Sequence, residues 1–200
     1  MTVAAQGART RAALVAAGTD LFDRDGYDNT SLDAVCRSVS VTKGALYRHF
    51  PSKQALAVAV VEEYFRRWHA VRAECEARTG PLQALVDLTH RMAELTGTDP
   101  TVRVGVRLLF TSELFDLLAG LHFSSLTTTA RDLLRQAAAA GELNPDLDPR
   151  REAEAIAAAV VGTQALTVIT KTRTDTLSAM WRHRLDHLVP PARRALYRVG

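Results

Sequence analysis

The chain is 200 residues long, room for one large or two small domains, and its 47% hydrophobic and 24% charged content is that of a globular protein with a real core. A net charge of +3 excludes a polybasic nucleic-acid coat, so any DNA contact must come from a local patch. The only cysteines, Cys36 and Cys75, are too far apart for a Cys-x-x-Cys pair, which excludes a zinc ribbon and a disulfide scaffold. With no signal peptide, and no apolar run approaching about 18 residues, the expectation is a cytoplasmic chain without membrane contact.

In chain order, every predicted element is helical. Residues 1–7 read as a disordered start, and a first helix runs from about Ala8 to Asp25. Leu14, Gly18, Leu21 and Phe22 form its inner face, and Gly26 is its C-terminal stop. Thr30, followed three residues later by Asp33, is a capping-box-like start for a second helix. Leu32, Val35, Cys36 and Val39 recur there at helical spacing. Thr42 is the natural N-cap of a third helix, whose inner face is Val41, Ala45, Leu46 and Phe50. Ser52 caps a long helix reaching towards Arg78, with a stripe of Leu56, Val60, Tyr64 and Trp68, ended by Thr79-Gly80-Pro81. Further helices are predicted over Pro81–Thr96, Pro100 to about Phe110, and Ser112–Ala140 with an interruption near Gly120. Gly141 to Pro145 is a loop. Asp148-Pro149 opens a helix to about Lys171, and Thr174-Asp175 opens a last one that Pro190-Pro191 stops.

The second and third helices, joined by a tight turn, read as a helix-turn-helix. From Arg37 to Lys53 there are Arg37, Lys43, Arg48, His49 and Lys53 and no acid, whereas Asp20 to Asp33 holds five aspartates against Arg24. Basic character is thus concentrated where a phosphate backbone would lie. Val41, Thr42, Lys43 and Gly44 would approach base edges in the major groove, the lysine donating to guanine acceptors and the methyls touching thymine. Thr30, Tyr47, His49 and Lys53 would hold phosphates. The competing reading is a capped hairpin of an ordinary bundle with a solvated basic face.

Two features of the remainder suggest further roles. The run Ala153–Gly162 is small and apolar round most of its circumference, and the last helix adds Leu177, Met180, Trp181, Leu185 and Leu188. Together these make either half of a two-fold four-helix bundle between two copies, or plain internal core. Polar and aromatic residues on otherwise apolar helices are candidates for a pocket taking an uncharged, moderately hydrophobic ligand. They are Tyr64, Trp68, Thr89, Met92, Phe110, Phe123, Thr127, Thr163, Gln164 and Thr167. His183 and His187 have metal-ligand spacing but no third ligand, and a solvated helix end explains them better. No metal or cofactor is therefore expected. Without a Gly-x-Ser-x-Gly, a phosphate-cradling glycine loop or a His-Glu-x-x-His, the chain is not expected to be an enzyme.

The stretch Val41-Thr42-Lys43-Gly44-Ala45-Leu46-Tyr47-Arg48-His49-Phe50-Pro51-Ser52-Lys53, with Phe22, Gly26 and Tyr27 upstream, resembles the DNA-binding domain of the tetracycline-repressor (TetR) family. In the body, Leu85–His90, Thr98–Leu108 and Met180-Trp181-Arg182 are similar to its γ-butyrolactone receptor branch. The resemblance implies an all-α chain with a three-helix head, residues 1–51, carrying the helix-turn-helix. Residues 52–200 would be a helical ligand-binding and dimerisation domain, and the resemblance tips the apolar helices towards the dimer interface. It implies a homodimeric repressor of antibiotic-production genes, released from a palindromic double-stranded operator by a diffusible butyrolactone-type effector. Two departures stand out. Ser40 occupies the turn position where the family has glycine, which costs on the order of 1 kcal/mol at positive φ. Residues 121–127 lack the pocket tryptophan of true receptors, which implies a different ligand, as in antibiotic-sensing pseudo-receptors, or none.

Overall fold

The structure, a computed structural model, describes residues 3–111, 116–170 and 175–200. Among these are α1 (Val3–Asp25), α2 (Leu32–Ser38), α3 (Lys43–His49), α4 (Lys53–Arg78), α5 (Pro81–Thr98), α6 (Pro100–Thr111), α7 (Asp116–Ala139), α8 (Pro149–Thr170) and α9 (Thr176–Leu188), with a 3-10 turn over Pro191–Leu196. No strand occurs among the described residues. The all-α expectation holds. The chain divides into two compact units, one of Met1–Arg67 with Leu95–Thr111, the other of Trp68–Glu94 with Ser112–Gly200.

In the first unit, α1 buries Leu14, Val15, Leu21 and Phe22. Gly18 lets Leu56 of α4 come close, since a Cβ there would lie 3.0 Å from the leucine Cδ2. Gly26, at φ +82°, stops α1, and its N–H closes on the Phe22 carbonyl at 3.1 Å. Ser40 sits at φ +54°, the left-handed conformation its place between α2 and α3 demands. Thr42 caps α3 through its hydroxyl, which accepts from the Ala45 N–H at 3.2 Å, and Ser52 does the same for α4 from Ala55 at 3.0 Å. Asp99 caps α6 by accepting from Thr101 N–H at 2.8 Å. That helix crosses α4 where Gly105 leaves no room for a side chain: an added Cβ would stand 2.5 Å from the Cβ of Tyr64.

Between α6 and α1 lies an ionic clasp. Arg103 donates to both carboxylate oxygens of Asp23, at 2.9 and 2.6 Å, and Arg107 donates to the Asp23 carbonyl at 3.1 Å. The Arg103 hydrogen bond, ahead of the nearby charges of Arg103 and Arg107, holds the Asp23 carboxyl below the usual aspartate range despite the opposing effect of burial.

The second unit is built on α7 packed against α8, with α9 against α8 and the last part of α4 and α5 completing it. Trp181 is fully buried, and its indole donates to the Thr89 hydroxyl at 2.7 Å, which itself donates to the Val86 carbonyl at 2.9 Å. The C-terminal tail is tied to α5 by Gln83, whose amide group exchanges two hydrogen bonds with the Arg198 backbone, at 2.9 and 3.0 Å. Beside it the Tyr197 hydroxyl donates to Glu142 at 3.1 Å, and desolvation next to that carboxylate pushes the phenol up to about 12.

Several expectations need correcting. Helix α1 starts at Val3, not Ala8, because the alanine-rich opening has good helix propensity. Ser31, not Thr30, caps α2, accepting from Ala34 N–H at 3.2 Å. Thr30 is instead buried, its hydroxyl donating to the Gly26 carbonyl at 2.7 Å. Helix α5 runs on to Thr98, and α7 is continuous through Gly120. Ser112, Lys171 and Thr174, named as helix ends, lie outside the described residues. Helix α8 is, by length and composition, apolar enough to cross a membrane, with a mean hydropathy of 1.5 over its most apolar stretch, a character that buried helices of globular proteins share.

Candidate functional site

The helix-turn-helix presents a small polar face. Helix α3 is anchored by Leu46, fully buried, and by Phe50 just beyond its end. Opposite that anchor, Thr42, Lys43, Gly44, Tyr47 and Arg48 are exposed, with Val41 and His49 half-buried beside them. Among the described residues, and apart from its chain neighbours and its own helix's backbone, nothing comes within 4 Å of where a Gly44 Cβ would stand. A helical glycine costs about 1 kcal/mol against alanine, and here packing gives no reason for it. The bare backbone therefore faces outward.

Electrostatics there are not simply basic. Lys43 Nζ donates to Asp33 Oδ2 of α2 at 2.6 Å, and this hydrogen bond and charge raise the lysine's affinity for its proton. Both groups are largely exposed, so the pair adds little to stability and can exchange for other partners. Lys53 is engaged differently. Its ammonium donates to the carbonyls of Tyr27 and Asp28 at 2.8 and 3.0 Å and lies 4.5 Å from the centre of the Tyr27 ring. It fastens the loop between α1 and α2. Arg37 and Arg48, named as part of the basic segment but not as contacts, are both exposed here, as is Ser31.

The ten residues expected to line a pocket are divided between the two units. Tyr64 and Phe110 belong to the first unit, where Tyr64 is buried against Gly105 and edge-on to Phe65 at 5.4 Å. In the second unit, Thr89 and Met92 are buried, and Thr89 serves Trp181. Thr127, Thr163 and Thr167 bond back to carbonyls one turn earlier in their own helices, at 2.8, 2.9 and 2.9 Å. Phe123 and Thr127 line an open groove of about 680 Å3 between α7 and α8, together with Arg131, Glu154 and Ala158.

Trp68 and Gln164 are brought together through a residue the sequence reading did not name, His122. Its ring stands edge-on to the Trp68 indole, centroids 5.9 Å apart, and its Nε2 is 3.0 Å from Gln164 Oε1. All three side chains are buried. A lone histidine on an apolar helix face gives no signal of this kind; only its neighbours do.

Comparison with known proteins places this arrangement. Residues 14–60 match the description of bacterial regulatory proteins of the tetR family. The A-factor receptor protein of Streptomyces griseus is 32% identical over 96% of this chain and 68% of its own length. The chain belongs to the tetR family. It is accordingly a DNA-binding transcriptional regulator. Among solved structures, a γ-butyrolactone receptor described as ArpA-like is 32% identical with a TM-score of 0.73, covering 96% of this chain and 94% of that one. CprB from Streptomyces coelicolor, solved with its biological operator sequence, is 33% identical with a TM-score of 0.72 over the same shares.

Proposed function

We propose that the protein is a cytoplasmic homodimeric repressor that holds a palindromic operator through the two copies of α3 and lets go when a small hydrophobic effector binds the helical body. The observation that carries the DNA reading is the exposed start of α3. There a capped helix offers Thr42, Lys43 and the bare backbone of Gly44, with no packing role for that glycine. Lys43 exchanges Asp33 for a base edge, while Tyr47, His49 and the neighbouring Arg48 meet phosphates. The exposed Ser31 hydroxyl stands where Thr30 was expected to act, and Lys53 shares its charge between the loop carbonyls and the backbone it faces. Residues 1–51 are the reading head and 52–200 the sensing and pairing body.

The second copy sits on α8. Ala158, Gly162, Leu166 and Ile169 form one exposed stripe along it, Leu166 at 49% and Ile169 at 72% exposure. Burying such a stripe against its own copy also accounts for a helix apolar enough to resemble a membrane span.

By kinship with receptors of γ-butyrolactones, the effector is a neutral lactone-type signal. The test is to select operator fragments from genomic DNA with the purified dimer, then add a 2-acyl-γ-butyrolactone. Preference for one palindrome over bulk DNA, lost on adding the lactone, is the expected result. By linkage, saturating operator must weaken lactone binding by the same factor. Equal affinity for all duplexes would overturn the reading.

A further inference from the structure

The two tryptophans are equally hidden and oppositely served. Trp181 is 0% exposed and its indole N–H reaches the Thr89 hydroxyl at 2.7 Å. Trp68 is 1% exposed, yet its Nε1–H has no hydrogen-bond partner among the described residues. Native interiors rarely leave a donor unmet, because its lost hydration is not returned. An indole N–H in this position calls for an acceptor that the described residues do not provide.

What surrounds the indole narrows that acceptor. Trp68 comes from α4, His122 from α7 and Gln164 from α8, so three helices converge on one polar cluster inside the second unit. Gln164 Oε1 already accepts from the imidazole, which fixes His122 Nε2 as a donor and leaves the glutamine carbonyl engaged. Burial lowers the histidine's affinity for a proton against the opposing hydrogen bond, so the ring stays neutral near pH 7. An indole, an amide and a neutral imidazole carry no fixed charge with which to hold an anion.

We propose that Trp68, His122 and Gln164 form the polar end of the effector site, where the Trp68 Nε1–H donates to a neutral carbonyl or lactone oxygen. This rests on the effector reading above and deepens it. The cluster selects an uncharged acceptor over the ring-opened hydroxy acid, since a buried carboxylate would meet no compensating cation among these three side chains.

Two readouts on the full-length dimer test it separately. With 15N-indole-labelled protein, a saturating 2-acyl-γ-butyrolactone should shift the Trp68 Nε1–H resonance downfield and leave Trp181 in place. Trp68→Phe should weaken lactone binding about tenfold, the loss of one neutral hydrogen bond, and the ring-opened acid should bind wild type at least tenfold worse than the lactone. Operator release is followed in parallel. Release without a Trp68 shift overturns this proposal and leaves the effector reading standing. A Trp68 shift without release supports the site and overturns its coupling to DNA. Neither effect overturns both. A Trp68 N–H resonance at a hydrogen-bonded position in the free protein, unmoved by the lactone, assigns the donor to a bound water and also overturns the proposal.

Discussion

Ser40 is an L residue held at φ +54°, a conformation that only its place in the turn between α2 and α3 justifies. The Cβ pays there with steric crowding, partly offset because glycine would make the unfolded chain more disordered. Ser40→Gly should therefore stabilise the protein by about 0.5–1 kcal/mol, read as a higher urea midpoint at unchanged slope. An unchanged or lower midpoint would mean the turn has adapted to its side chain. Lys43 belongs to the same scale. Replacing it with alanine should leave the unfolding midpoint nearly unmoved, since the Asp33 pair is solvent-screened. Operator preference over mismatched sites should fall roughly tenfold or more, measured by competition binding. A uniform loss on operator and random DNA would make Lys43 a phosphate contact instead.

Helices meet where side chains are smallest. Gly105 lets α6 lie on Tyr64, and an alanine there would press its methyl to within 2.5 Å of the tyrosine Cβ, a backbone-near atom that cannot swing aside. Gly105→Ala is expected to cost about 2–3 kcal/mol by overpacking, despite alanine's better helix propensity. Thermal unfolding followed by circular dichroism checks it. The clasp from α6 to α1 has a pH signature. Asp23 titrates below its ordinary range when folded, so its contribution is full above about pH 4 and disappears as pH falls through the depressed folded value. Asp23→Asn should be less stable than wild type at pH 6, with the gap closing as pH falls below about 4 in urea titrations. A gap that stays constant with pH would assign the loss to packing rather than charge.

For the whole molecule, function depends on pairing. A short reading helix contacts few bases, and two copies on a palindrome multiply the discrimination. The expected seam includes the exposed α8 stripe, whereas Leu177, Trp181, Leu185 and Leu188 of α9 are buried within the chain itself and are not free to pair. Ile169→Glu combined with Leu166→Glu should yield a folded monomer by sedimentation velocity, with operator affinity lost. A dimer that survives both changes would place the seam elsewhere.

Much of this was legible from short-range chemistry. Thr42, Ser52, Gly26 and Asp148-Pro149 mark helix ends because caps and stops act over three or four residues, and the helix-turn-helix is made of little else. Local signals also misassigned what distant partners decide. Thr30 looks like a cap until the Gly26 carbonyl takes its hydroxyl, and nothing near Lys53 in the sequence announces that its ammonium also ties down the Tyr27 loop. The apolar stripe of α9 could not be told from an interface, because periodicity says that a face is buried and never against what. His122 gave no sign at all, for its meaning lies with Trp68, fifty-four residues earlier, and Gln164, forty-two later. Helix positions and the DNA-reading segment thus follow from the amino-acid order alone. Which side chains are buried and which stay exposed was decided only by the packing of helices far apart in the chain, because burial depends on distant partners.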